Sequence, residues 1–166
     1  MFGIGIAVSG PSDGIQPTHG GKQWDATPDA PVSFGYKVSW LAIRSQDAAA
    51  VISAMGLKET HPANWATGIS AAYGESKAVF VSPALGGWTF VVGRDLPALD
   101  QGDIQGDPTG AHPFGQLFAK LIRQFPEVQF FGSYRVVDYV AWVRARDGKV
   151  ERAFSFADGT VYANFG

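Results

Sequence analysis

The sequence predicts an α+β fold, an antiparallel β-sheet with two or three helices packed on one face. Three observations lead there. The runs follow the order strand, helix, short helix, strand pair, long helix, then consecutive strands, and consecutive strands after a helix argue for α+β. Asp147-Gly148 sits between β-prone runs, the strongest short-range hairpin signal. A chain of 166 residues with 46% hydrophobic content can bury one core without disulfide or metal staples. Residues 1–166 are therefore read as a single domain, with a loop-rich arm over 1–33 and an α+β body over 34–166.

Each element has its own local reason. Phe2 to Val8 is apolar, with no Lys or Arg ahead of it and no small-residue cleavage site behind, so it reads as a strand or a docked arm and not as a signal peptide. Ser9 to Pro31 is Gly/Pro/Ser/Thr/Asp-rich loop chemistry, with Trp24 placed to pin it to the body. Phe34 to Arg44 reads as a strand, with Tyr36, Val38, Trp40 and Ala42 on one face and Lys37, Ser39, Leu41 and Ile43 on the other. Ser45 looks like an N-cap. Ala48, Val51, Ile52 and Met55 then recur at helical spacing, and Gly56-Leu57 closes the helix. A short helix follows near Trp65 to Tyr73. Lys77 to Gly93 holds two short strands around a Pro/Gly loop, with Trp88, Phe90 and Val92 on one face. Pro113 suits a helix start; Phe114, Leu117, Phe118, Leu121, Ile122 and Phe125 keep the helical period, and Pro126 stops it.

The last third reads as antiparallel strands. A two-residue turn at Asp147-Gly148 pairs Arg146 with Lys149, Ala145 with Val150, Val143 with Arg152, Ala141 with Phe154 and Tyr139 with Phe156. Arg135 and Asp138 are three apart, so a regular strand would point them to opposite faces. "DGTVY" adds a final short strand.

Little assembled chemistry accompanies this pattern. There is no cysteine, which excludes disulfides, thiol nucleophiles and thiolate metal sites. His19, His61 and His112 are far apart and have no metal-ligand spacing. No nucleophile elbow and no phosphate-binding glycine loop is present. The loop carrying Asp95, Asp100, Asp103 and Asp107 lacks the order of a calcium loop but forms an acidic docking candidate. Net charge is −2, with no basic footprint for nucleic acid. No window has the length of a membrane span, so the expectation is a cytoplasmic protein. Asp138 is the best single acid–base candidate, because an ionisable group in an apolar strand demands a partner.

At "YKVSWLAIRSQDAAAVISAMGL", "NWATGISAAYG", "GGWTFVVG" and "EVQFFGSYRVVDYVAWVRARDGKVERAFSF" the chain resembles a family of small bacterial proteins, mostly of unassigned function. The resemblance spans about Tyr36 to Phe156 and rests on tryptophans, glycines and apolar alternation. Some proteins of similar build look like immunity proteins encoded beside secreted toxins. That likeness implies an immunity protein that neutralises a cognate antibacterial toxin by occluding its active site. It would be a monomer or small homo-oligomer needing no cofactor, metal, nucleic acid or membrane. Expected contacts are Asp95, Asp100, Asp103, Asp107, Trp24 and Trp88. The alternative is a small-molecule-binding domain or minor hydrolase, with a pocket between helix and sheet near Arg135, Asp138 and Trp88. An assembly component using sheet-edge pairing is a third option.

Overall fold

A computed structural model describes residues 5–9, 24–75, 77–99 and 112–166. In chain order the elements are β1 (Gly5–Ser9), β2 (Ser39–Ile43), α1 (Ala48–Met55), β3 (Thr60–Ala63), α2 (Trp65–Tyr73), β4 (Ala78–Val81), β5 (Thr89–Gly93), α3 (Pro113–Gln124), β6 (Glu127–Tyr134), β7 (Tyr139–Arg146), β8 (Lys149–Ala157) and β9 (Thr160–Phe165). The strands form one nine-stranded sheet in the order β3-β1-β4-β5-β2-β6-β7-β8-β9. Every neighbouring pair is antiparallel. The fold is α+β, as the element order predicted.

The sheet is buried on both faces along part of its length. On one face Leu41, Ile43, Val79, Val81, Val91, Val128, Phe130 and Val143 pack against Val51 and Ala54 of α1 and Phe114, Phe118, Leu121 and Ile122 of α3. On the other, Trp65, Ile69 and Ala72 of α2 pack against Phe80 and Val92, with Phe34, Trp40 and Phe90 alongside. Two helices therefore share a face, while α2 covers the opposite one. The alternation in β4 produces this division: Val79 and Val81 point to one core, and Phe80 to the other.

Local signals placed most boundaries. α2 runs Trp65–Tyr73, and α3 begins at Pro113 and ends before Pro126. Gly56 is left-handed at φ 71°, and the Leu57 N–H reaches the Ile52 carbonyl at 3.2 Å. The N-cap of α1 is not Ser45 but Asp47, whose carboxylate accepts the Ala50 N–H at 3.0 Å. The Ser45 hydroxyl instead accepts the Asp47 N–H, one step outside the helix. α2 is capped twice: Asn64 accepts the Thr67 N–H, and Asp29 accepts the N–H groups of Trp65 and Ala66 at 2.8 and 2.9 Å. β3 was not foreseen. It contains Pro62 and sits at the sheet edge, where a missing N–H is tolerated. β1, within the arm, is an interior strand between β3 and β4.

The 147–148 turn forms as expected, with Asp147 and Gly148 both at positive φ. Arg146 pairs with Lys149 and Ala145 with Val150. A β-bulge then shifts the register by one, so Val143 meets Ala153, Trp142 meets Phe154 and Ala141 meets Ser155. The regular register would have set Arg152 beside Val143 in the core. The bulge keeps Ala153 inward and turns Arg152 out.

Candidate functional site

Two surfaces stand out, and both arise from cross-strand rows. The first is on the α2 side of the sheet. Trp40, Phe131, Trp142 and Phe154 are direct neighbours across β2, β6, β7 and β8. The Trp40 and Phe131 rings stack at 4.2 Å, and Phe131 and Trp142 stack at 6.4 Å. A second row, Ser133, Val140, Phe156 and Val161, runs beside it. α2 packs on β4, β1 and β5, away from these rows. Phe131, Trp142, Phe154 and Phe156 are consequently half-buried, while Val140 and Val161 are 49% and 54% exposed. The Trp142 Nε1 is buried with no hydrogen-bond partner among the described residues.

The hairpin end of this face is basic. Glu127 accepts from Arg144 at 3.1 Å and from Arg146 at 3.4 Å, and Arg144 also reaches Glu151 at 3.5 Å. Burial raises the Glu127 pKa, but the hydrogen bonds from Arg144 and Gln129 and the charges of Arg146 and Arg144 outweigh it and leave the carboxyl below its ordinary value. Arg152 instead donates to the Asn164 side chain and to the carbonyls of Phe165 and Gly166.

The second surface is a cleft of about 390 Å³ at the end of the sheet where β2 and β7 begin and β5, β6 and β8 end. Lys37, Ser39, Arg94, Asp95, Ser133, Tyr134 and Tyr139 supply its polar groups; Val38, Leu96, Ala98, Val137 and Ala157 supply apolar walls. Tyr139 lies across Gly132, and its hydroxyl accepts the Leu99 N–H at 3.1 Å.

The sequence-derived site residues distribute differently from expectation. Arg135 lies in a 3-10 turn over 135–137, and Asp138 follows it at φ 46°, so neither is in a strand. Both are exposed, and neither lines the cleft. Asp138 is an αL turn residue whose N–H closes on the Arg135 carbonyl, which removes the demand for a buried charge partner. Arg135 instead sits over the Tyr36 ring at 5.8 Å. The gap between α3 and the sheet is about 10 Å³, and Arg135, Asp138 and Trp88 do not line it. Trp88 is at the far end of β5 from the cleft, half-buried, with the Arg44 guanidinium 5.1 Å above its ring. Trp24 stacks on His61 at 5.7 Å, which pins the arm as its position predicted. His112 is the N-cap position of α3. Asp95 lines the cleft. Asp100, Asp103, Asp107 and His19 lie outside the described residues.

Sequence reasoning did not single out Lys37, Ser39, Arg94 or Tyr139 as a group. A signal existed in Gly93 and Gly132: glycine inside a strand pattern marks a close approach. Among the described residues, no three His, Asp or Glu side chains gather as metal ligands, and no helix is long and apolar enough to cross a membrane. No family model, curated protein or solved structure matches the chain.

Proposed function

We propose that this protein acts by stoichiometric binding to another protein, in the manner of an immunity protein that caps a toxin. The observation that carries this reading is the double apolar row on β6 to β9. Aromatic and valine side chains that a third layer would normally cover are left at the surface there, and contiguous exposed apolar patches of that kind mark protein interfaces. Stacked, half-buried tryptophan and phenylalanine are also the side chains that concentrate binding energy.

The charge pattern indicates which partner fits. The chain as a whole carries −2, yet the hairpin end of this face holds Arg144, Arg146 and Arg152 against Glu127 and Glu151. A partner presenting an apolar patch beside acidic side chains complements it. A toxin whose active site binds a polyanion would be basic and would not. Asp95, the described member of the acidic set, lines the cleft.

Val140 and Val161 are exposed, so charging them tests the surface without disturbing the core. Wild type and the Val140→Asp/Val161→Asp double variant would be co-expressed with each product of the flanking genes. A one-to-one complex that forms with wild type and is lost in the double variant, with loss of protection from the toxin, is the expected result. A complex unaffected by the variant would refute the assigned surface. Absence of any complex, with a concentration-dependent dimer that the variant abolishes, would assign the face to a second copy of this chain instead.

A further inference from the structure

We propose that the cleft at the Ser39 end of the sheet is a binding site for a small organic carboxylate with an apolar body. This does not depend on the protein-binding reading: the cleft is at the end of the sheet, and of the two open-face rows only Ser133 also lines it.

Ser39 reaches the cleft from a level of the sheet where the side chains are small. One cross-strand row in the core is filled by Val91, Leu41, Phe130, Val143 and Ala153. The next row towards the end of the sheet consists of Gly93, Ser39, Gly132, Ala141 and Ser155. Most of this row is covered: Tyr139 lies over Gly132, Val79 and Leu96 lie over Gly93, and the Ser155 hydroxyl donates to the Leu99 carbonyl, so of the five only Ser39 opens to the cleft. Leu96 and Tyr139 also line the cleft, whose volume of about 390 Å³ is within the range of small-ligand sites. Tyr139 is held in place by the Leu99 N–H and by the missing side chain of Gly132, where a Cβ would come within 2.7 Å of its ring.

Ser39 brings a hydroxyl to the cleft. Its side chain lines the cleft, the residue is 8% exposed, and its hydroxyl has no hydrogen-bond partner among the described residues. The hydroxyl is not a buried orphan; it opens to the cleft, where it is available to bond a ligand. The cations come from the two flanking segments. Lys37 and Arg94 both line the cleft, and neither has a carboxylate partner among the described residues. Arg94 is steadied by the Tyr73 carbonyl at 3.4 Å. Lys37 occupies φ 55°, a left-handed conformation that a lysine adopts only at a cost, and a residue held there beside a cleft is a functional signal.

The remaining groups narrow the ligand. Asp95 also lines the cleft, so two cations and one anion leave a single net positive charge for the ligand to neutralise. That balance suits a monoanion. Val38, Leu96 and Val137 offer an apolar bed for its body. A carboxylate bonded by Arg94 and Lys37, with Ser39 reaching it from the floor, uses every one of these features.

Phenylacetate and phenylacetamide test the idea, because they share size and shape but differ in charge. Backbone amide shifts would be followed by NMR during titration of each. Saturable shifts at Ser39, Leu96 and Val137 with phenylacetate only are expected, weakened about tenfold by Arg94→Gln and by Lys37→Gly. The glycine variant relieves the left-handed backbone, so lost binding in a chain at least as stable as wild type separates recognition from folding. Equal response to the amide, shifts confined to the Phe131–Trp142 face, or no response to either compound would each overturn the proposal.

Discussion

Two residues show how a local rule is overruled by what surrounds it. Gly68 lies inside α2, where alanine would ordinarily be favoured by about 1 kcal/mol. A Cβ there would fall 2.1 Å from the Phe80 ring, and Phe80 is fully buried. Overpacking of that kind costs about 1–3 kcal/mol, so Gly68→Ala should destabilise despite the better helix former. A chemical-denaturation midpoint that rises would mean the ring can move aside. Glu127 is the second case. Its folded-state pKa is below the ordinary 4.5, so its contribution is present above that value and is lost as pH falls through the folded pKa. The stability gap between wild type and Glu127→Gln should therefore be flat near neutrality and shrink below about pH 4.5. A gap independent of pH across that window would remove the arginine pairing as its cause. Both residues were visible in the sequence; the ring beside one and the guanidinium groups beside the other were not.

At the scale of elements, caps and turns account for most of what could be read in advance. Asp147-Gly148 and Asp158-Gly159 both take positive φ at both positions, the requirement of a tight twisted hairpin. The α1 cap separates two nearby candidates. Asp47 bonds the helix N–H, while the Ser45 hydroxyl bonds only Asp47. Asp47→Ala should cost about 1 kcal/mol, and Ser45→Ala distinctly less. Thermal melts of the two variants that ranked them the other way would restore Ser45 as the cap. The β7–β8 bulge marks the limit of such reading. The turn sets the first two pairs, but the requirement that Ala153 and not Arg152 enter the core sets the rest.

For the whole molecule, one sheet carries two cores back to back. Phe80 belongs to the α2 core, and Val79 and Val81 to the core under α1 and α3. Strands that serve both cores tie them into one cooperative unit. Near-ultraviolet circular dichroism, sensitive to buried Trp65 beside Phe80, and far-ultraviolet circular dichroism should report the same single unfolding transition. Two separated transitions would mean that the α2 layer melts independently. The same arrangement explains the exposed apolar rows: α2 packs on the β1, β4 and β5 part of its face, and no helix among the described residues packs over the β6 to β9 part.

By itself the sequence determined the α+β class, the extents of α2 and α3, the stop at Pro126 and the tight turns. These depend on residues within a few positions of one another, through capping, φ restriction and side-chain period. Tertiary structure alone decided the strand order, the face each helix covers, the register shift between Arg144 and Ala145 and the cleft. Gly93, Ser39 and Gly132 become neighbours only when β5, β2 and β6 pair in one register, and that register is set by burying large side chains one row away. The cleft draws its lining from residues 37–39, 94–98, 133–139 and 157, so it belongs to no single segment of the chain; the glycines within β5 and β6 hint at close approach but not at what approaches.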